Sequence, residues 1–363
     1  MASKLKLADY LERHRGEKHL VVLHDYPDPD AISSAFAHKL ISAQYDIQVD
    51  IVYTGKISHG QNVALVKLLG IDMIVYRGDL NYKQYQGAVF IDHQGNTVNG
   101  ILKGLQTAGV PILILIDHHE PQDVVKAEFT DVQRTGSTAT IYAHYLKQGI
   151  LELQKGSKEH VALATALLHG IMTDTGNFIS ADQEDFHSAA FLSQYSDPNL
   201  LEQIMNQSRS KQVMDVIRRA LENRTVVENH SIAGIGYLRS EDRDAIPQAA
   251  DFLVNEENVH TAIVYGIVRD DDNASEVLTG SLRTSKLIFD PDEFIKEVFG
   301  VSVDGRYYGG GKSTAGGFSI PIEFLNGEPN DEYAALKWRL YDTQVKAKIF
   351  NRIGVKRNPR QDQ

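Results

Sequence analysis

The segment His24-Asp25-Tyr26-Pro27-Asp28-Pro29-Asp30 places one imidazole and two carboxylates at i, i+4 and i+6, directly after the apolar run Leu20-Val21-Val22-Leu23. Nitrogen and oxygen donors so spaced suit a divalent cation. The apolar run reads as a short buried strand, and Pro27 and Pro29 are expected to keep a helix from starting before Asp30, so the donors would sit on a turn at a strand end. Taken alone, the segment reads equally well as an ordinary Asp/Pro turn. Three further apolar runs end in the same way: 88–91 in Asp92-His93, 111–116 in Asp117-His118-His119, and Ile171-Met172-Thr173 in Asp174-Thr175-Gly176. One acidic strand end is commonplace, because Asp caps a following helix. Four of them, three carrying histidine, can converge in one cleft if their strands share an edge of a parallel sheet.

The elements needed to position them are legible in the first half. Strand-like runs at 20–23, 47–53, 73–76, 88–91 and 111–116 alternate with helical stretches at 33–43 and 61–69, the pattern of a parallel sheet with helices on both faces. Gly136-Ser137-Thr138 opens another helix, with Ser137 or Thr138 as its cap. Residues 185–224 read as a polar helical connection broken at Asp197-Pro198-Asn199. Strands at 231–237, 260–269 and 277–284, with helices at 246–253 and 292–299, form a smaller second α/β domain. The terminal stretch 331–350 spaces Leu336 with Leu340, and Tyr341 with Val345 and Ile349, as an amphipathic helix packing on its own chain or, in a second reading, on a homodimer partner. The expected division is a metal-binding domain over 1–190, a helical linker over 191–224, a substrate-binding domain over 225–325, and a helix and tail over 326–363, the basic stretch 356–360 being frayed.

Composition narrows the classes. At 363 residues the chain exceeds one ordinary core, and 42% hydrophobic with 23% charged residues is globular. It has no cysteine, which excludes thiolate metal sites. No apolar run approaches the ~20 residues of a membrane span and none follows the N-terminus, so a cytoplasmic protein is expected. A formal net charge of -11 argues against coating long nucleic acids, which takes a basic surface.

Four ordered motifs carry a resemblance: His24-x-x-Pro27-Asp28-x-Asp30-Ala31, Asp92, Asp117-His118-His119 and Asp174-Thr175. Over residues 18–325 the chain resembles a DHH-family phosphoesterase with its associated C-terminal domain. The resemblance implies that His24 and Asp28 bind one metal and Asp30 the other, that Asp92 bridges both, and that His118 and Asp174 complete the second site. His119 would face the phosphoryl group as a donor, and Asp117 would orient a neighbouring ligand or cap the turn. Mixed imidazole and carboxylate ligation fits Mn²⁺ better than Mg²⁺, with Co²⁺ also in range. His93 reads as structural rather than substrate-binding, and His59 and His169 as structural or surface residues.

In the second half, Gly309-Gly310-Gly311-Lys312-Ser313-Thr314-Ala315-Gly316-Gly317 is not a Walker A loop, since Arg306 stands where that motif needs glycine. It reads as a flexible loop whose backbone N–H groups could approach an anion, or as a plain glycine-rich turn. The family's associated domain has a comparable Gly-Gly-His-x-x-Ala-x-Gly loop. Gly310, Gly311, Ala315 and Gly317 match it, and Lys312 replaces the histidine, which leaves substrate preference open. Arg283, in Ser281-Leu282-Arg283-Thr284, falls where the family has Ser-x-Arg and could hold a phosphate, with a surface arginine as the plain alternative; Arg306 is a weaker candidate of the same kind. Arg209, Lys211, Arg218, Arg219 and Arg224 read first as a solvated helix face.

The resemblance implies a hydrolase of short oligonucleotides or of 3′-phosphoadenosine-5′-phosphate, as in the family's oligoribonuclease (nano-RNase) and pAp phosphatase branch. A cyclic or linear dinucleotide phosphodiesterase comes next, then a longer single-strand exonuclease; the pyrophosphatase branch has a different second domain. A catalytically inactive nucleotide-binding regulator is the reading from a different class.

Overall fold

The computed structural model describes residues 6–57, 59–122, 124–207, 210–270, 275–312, 314–327 and 331–355. Arg209, Ser313 and the basic stretch 356–360 lie outside the described residues. The chain divides into two compact units, Met1–Ser208 and Arg209–Gln363, so residues 191–224 are shared between them.

The first unit runs α1 (Leu7–Arg13), β1 (Lys18–Val22), α2 (Pro29–Ala43), β2 (Gln48–Tyr53), α3 (Gly60–Leu69), β3 (Ile74–Val75), β4 (Gly87–Ile91), α4 (Asn99–Ala108), β5 (Ile112–Asp117), β6 (Phe129–Val132), α5 (Thr138–Lys147), α6 (Lys158–Asp174), α7 (Gln183–Leu192) and α8 (Pro198–Met205). Its six strands are parallel in the order β3-β2-β1-β4-β5-β6. The chain steps outward from β1 on one side and returns to β4 on the other, which leaves a crevice at their C-terminal ends. Alternation explains why both faces are covered. Val21, Val89, Ile91, Ile114 and Ile116 join a core with residues of α2, α5 and α6, whereas Leu20, Val22, Ala88, Phe90 and Leu115 join one with residues of α4. Each of the Val, Leu, Ile and Phe side chains, fully buried, contributes about 1.5–3 kcal/mol.

Two local expectations change. The helix after the first motif starts at Pro29, with Asp28 as its cap accepting the Ala31 N–H at 3.0 Å. Proline is at home in that first position, where an N–H would have no helical partner. The run Ile171-Met172-Thr173-Asp174 is the last turn of α6, not a strand. Its Ala- and Leu-rich context lets the helix continue through Gly170, so three of the four motifs follow strands and the fourth ends a helix.

The second unit runs α9 (Lys211–Asn223), β7 (Arg224–Val227), β8 (His230–Arg239), α10 (Ala245–Leu253), β9 (Thr261–Asp270), β10 (Ser275–Thr284), α11 (Pro291–Phe299), β11 (Gly309–Gly311), β12 (Ala315–Pro321) and α12 (Asp331–Arg352). The sheet order is β11-β12-β10-β9-β8-β7, with β8 and β9 parallel and the other neighbours antiparallel. Ala262, Val264 and Val268 pack with α9 and α10; Ile263, Tyr265 and Ile267 pack with α11 and α12. Only one stripe of α12 is used, Val345 and Ile349 being buried while Leu336 and Leu340 stay exposed.

The glycine-rich segment is a hairpin rather than a flexible loop. A Cβ on Gly309 would lie 2.2 Å from the Gly317 carbonyl oxygen, and one on Gly316 would lie 2.5 Å from the Ile295 side chain, so these glycines allow close packing. The Gly311 N–H, expected to face an anion, donates to Asp292 Oδ1 at 3.0 Å. Among the described residues no helix is long and apolar enough to cross a membrane.

Candidate metal centre

The turns after β1, β4 and β5 meet the C-terminal end of α6. His24 lies just beyond β1, Asp92 follows β4, and His118 and His119 follow Asp117 at the end of β5. Asp92 adopts φ 64°, a left-handed turn that Asp tolerates better than most residues. Gly170 sets the approach of α6 to α2: a Cβ there would lie 2.5 Å from Ser33 Oγ and 3.2 Å from the Asp30 Cα. This close packing of α2 and α6 lets Asp174, one turn further on, meet Asp30 across the crevice.

Two groups of donors result. One ligand atom each from His24, Asp28 and Asp92 lies within 4.8 Å of the others, and so does one each from Asp30, His118 and Asp174. Asp92 stands between the groups, with Oδ2 3.6 Å from His24 Nε2 and Oδ1 3.6 Å from His118 Nε2. His118 Nε2 is 3.1 Å from Asp174 Oδ2. Both rings are held from behind: His24 Nδ1 is 2.8 Å from the Asp25 carbonyl oxygen and His118 Nδ1 is 3.1 Å from that of Thr135. A carbonyl only accepts, so each Nδ1 keeps its proton and each Nε2 offers a lone pair to the crevice.

The carboxylates are held as firmly. Asp30, fully buried, accepts the Thr138 and Ala139 N–H groups, each at 2.7 Å, so N–H groups at the start of α5 that have no partner within the helix hold both its oxygens. Thr138 Oγ1 donates to Asp92 Oδ1 at 2.9 Å. Burial first, and then the neighbouring carboxylates, raise the pKa values of Asp30 and Asp92 well above the usual range. Four carboxylates with two lone-pair imidazoles therefore form a site whose negative charge lacks compensation from within. The family's divalent ions fit this donor set, which offers oxygen and imidazole ligands with their outer hydrogen bonds in place.

Asp117 differs from the others. Burial opposes its ionisation, but hydrogen bonds from His119 and Gln94 outweigh that and hold its pKa below the ordinary value. Its Oδ1 accepts His119 Nδ1–H at 2.8 Å and the His118 N–H at 2.8 Å, while Gln94 Nε2 donates to Oδ2 at 2.8 Å. His93 is buried with Nε2 2.9 Å from the Val22 carbonyl oxygen and Nδ1 accepting the Gly95 N–H, and burial lowers its pKa to about 4; it braces β4 against β1. His169 is buried in α6 and its pKa is likewise lowered to about 4 by burial. Thr138 and Gln94 are the positioning residues that sequence reasoning missed. The sequence marks Thr138 only as a candidate cap, and nothing in the spacing of Gln94 marks it.

The family comparison now agrees with the geometry. A model of the DHH family, N-terminal domain, matches residues 18–171. An uncharacterised protein of Methanocaldococcus jannaschii is 35% identical over 352 residues, covering 95% of this chain and 67% of that protein. The chain belongs to the DHH family. Members of this family are metal-dependent phosphoesterases, and the motif residues of this DHH chain are those gathered in the crevice. A crystal structure of an exopolyphosphatase-related protein from Bacteroides fragilis is similar at TM-score 0.64 and 18% identity, over 95% of this chain and 99% of that one, a likeness of fold. A structure of exonuclease RecJ bound to manganese is similar at TM-score 0.46 and 12% identity, over 99% of this chain and 97% of that one.

The remaining expected residues belong to the second unit. Arg283 Nε donates to Asp251 Oδ1 at 2.6 Å and one terminal nitrogen donates to Ser281 Oγ at 2.8 Å. Lys312 is exposed, and Arg306 is exposed with its Nε 3.5 Å from Asp304. Gly310 and Gly311 are strand residues. Of the basic residues on α9, Arg218 pairs with Asp215 and Glu222 and Arg219 with Asp215, while Arg224 beyond its end pairs with Glu256.

Proposed function

We propose that this DHH protein is a two-metal hydrolase of small nucleotide phosphoesters, acting on short oligonucleotides or on 3′-phosphoadenosine-5′-phosphate. The observation that carries the reading is the position of Asp92, whose two oxygens face two different imidazoles and so join two donor triads. His24, Asp28 and Asp92 would hold one ion, and Asp30, His118 and Asp174, with Asp92 shared, the other. Two divalent ions, when bound, supply charge to the phosphoryl oxygens and acidify a water nucleophile. Mixed nitrogen and oxygen ligation favours Mn²⁺, with Co²⁺ and Mg²⁺ as alternatives.

The chain's own residues do the orienting. Asp117 holds His119 Nδ1 and orients the ring, which would face the phosphoryl group as a donor. Thr138 and the two backbone carbonyls keep the ligands aimed. In the second unit, exposed Lys312 and Arg306 are the proposed phosphate-binding cations and the Gly310-Gly311 strand supports Lys312. Arg283 joins them once substrate displaces Asp251. The net charge of -11 supports a small substrate over a long strand.

The test is product analysis with added Mn²⁺ on a two-nucleotide RNA, 3′-phosphoadenosine-5′-phosphate, a cyclic dinucleotide, a longer single strand and pyrophosphate. Hydrolysis of the dinucleotide or of 3′-phosphoadenosine-5′-phosphate, abolished by a chelator and by Asp92→Ala or His118→Ala, is expected. Failure on every substrate, with nucleotide binding retained, would turn the reading to a regulator.

A further inference from the structure

A second set of metal-capable side chains lies on the opposite edge of the first sheet. The donors described above follow the C-terminal ends of β1, β4 and β5, whereas His14, Glu17 and His19 surround the N-terminal start of β1. His14 ends α1, Glu17 lies in the turn, and His19 is the second residue of the strand. Gly16, at φ 82°, supplies the left-handed step that turns the chain between them. Glu17 Oε2 lies 2.9 Å from His14 Nδ1 and 3.0 Å from His19 Nε2, and one donor atom of each residue lies within 4.8 Å of the others.

Two features separate this cluster from ordinary surface polarity. His19 is completely buried, and its Nδ1 has no hydrogen-bond partner among the described residues, so Nε2 is the only ring nitrogen in use and it faces the cluster. His14 is fixed by the ring of Tyr10, 4.7 Å away, and its side chain and that of Glu17 remain 17% and 30% exposed, which leaves an entry path. The plainer account is a carboxylate that accepts hydrogen bonds from two imidazoles. However, ligands about 2.0–2.2 Å from one ion and about 90–110° apart are themselves separated by roughly 2.9–3.5 Å. The Glu17 oxygen already stands at such distances from both ring nitrogens, where a cation can replace the shared protons.

We propose that His14, Glu17 and His19 bind a divalent transition ion of the zinc class, distinct from the catalytic ions, which ties the end of α1 to the start of β1. Two imidazoles and one carboxylate suit Zn²⁺, Co²⁺ or Ni²⁺ better than Mg²⁺ or Ca²⁺, and water completes the shell. On binding, His14 Nδ1 and His19 Nε2 give their lone pairs to the ion, and each neutral ring carries its proton on the other nitrogen.

The test is the number of ions retained by the full chain after equilibration with Zn²⁺ and desalting, measured by elemental analysis, with Co²⁺ visible absorption as a second readout. His14→Ala and Glu17→Gln change partly exposed side chains outside the catalytic crevice, and circular dichroism with Mn²⁺-dependent turnover verifies their fold. Each variant should retain one ion fewer than the unmodified protein, whatever number the catalytic centre holds, and should show a smaller rise in melting temperature with Zn²⁺. Equal ion counts in the unmodified protein and both folded variants would overturn the proposal and leave the catalytic reading untouched.

Discussion

Gly170→Ala tests whether the spacing of α2 and α6 sets the metal centre. In an isolated helix this change stabilises by about 1 kcal/mol, because alanine has the better propensity. Here the new Cβ would stand 2.5 Å from Ser33 Oγ, which can rotate away, and 3.2 Å from both the Asp30 Cα and the Pro29 carbonyl oxygen, which cannot. The backbone of α2 must yield by a few tenths of an ångström at the residue that carries Asp30. Overpacking costs about 1–3 kcal/mol, so the net change in stability should lie within about 2 kcal/mol of zero. Since a ~1 Å misplacement can cost about 100-fold in rate, a shift of a few tenths should cost roughly 3- to 10-fold in kcat, with weaker Mn²⁺ binding. Ser33→Ala with Gly170→Ala removes the side-chain clash and retains the backbone one, so it should recover stability without recovering kcat. Denaturant melts, Mn²⁺ titration by calorimetry and turnover of whichever substrate the product analysis identifies make the measurement. If Gly170→Ala kept full Mn²⁺ affinity and kcat, the argument that this glycine positions Asp30 against Asp174 would be refuted.

Thr138→Val removes the hydroxyl that holds Asp92 but keeps the N–H that holds Asp30; Mn²⁺ affinity should fall about 10- to 100-fold, with Thr138→Ser restoring it, as calorimetry would show. Gly55→Ala forces a side chain onto φ 75° and places its Cβ 3.0 Å from the Tyr26 ring, in the turn between His24 and Asp28. It should lose about 1–2 kcal/mol of stability and reduce turnover, and unchanged values of both would contradict it. Burial lowers the pKa of His38 to about 3 and of His169 to about 4. Both rings are neutral when folded and protonate near 6.5 when unfolded, so the unfolded chain binds more protons below that pH and stability falls as pH falls. Between pH 7.5 and 5.5 the two should together cost about 3 kcal/mol, read from urea melts, and His38→Gln should reduce that slope.

Much of the site was legible because its chemistry is written in short segments. His24, Asp28 and Asp30 lie within seven residues, and Asp92 and His118 directly follow apolar runs whose only reasonable fate is a buried parallel strand. The continuous apolar runs of β1, β4 and β5 are local information, and so is the proline that opens α2. The short, half-exposed β6 and the helices α1 and α4 lacked such a signal. The candidate ligand Asp174 is marked by its motif but ends a helix rather than a strand, because a run as short as Ile171-Met172-Thr173 reads alike as strand and as helix end.

By itself, the sequence determined which side chains could bind metal and that a parallel sheet would bring their strand ends to one edge, since both follow from residue type and nearest-neighbour periodicity. Only the tertiary structure decided how they are held. The backbone carbonyl of Thr135, the hydroxyl of Thr138 and the start of α5 hold the candidate ligands from distant parts of the chain, and Gly170 governs a helix contact with no local signature. The same holds for the glycine-rich segment, where contacts with α11 made a hairpin of what looked like an open loop. Interactions between residues remote in sequence depend on the complete packing, and no local pattern encodes them.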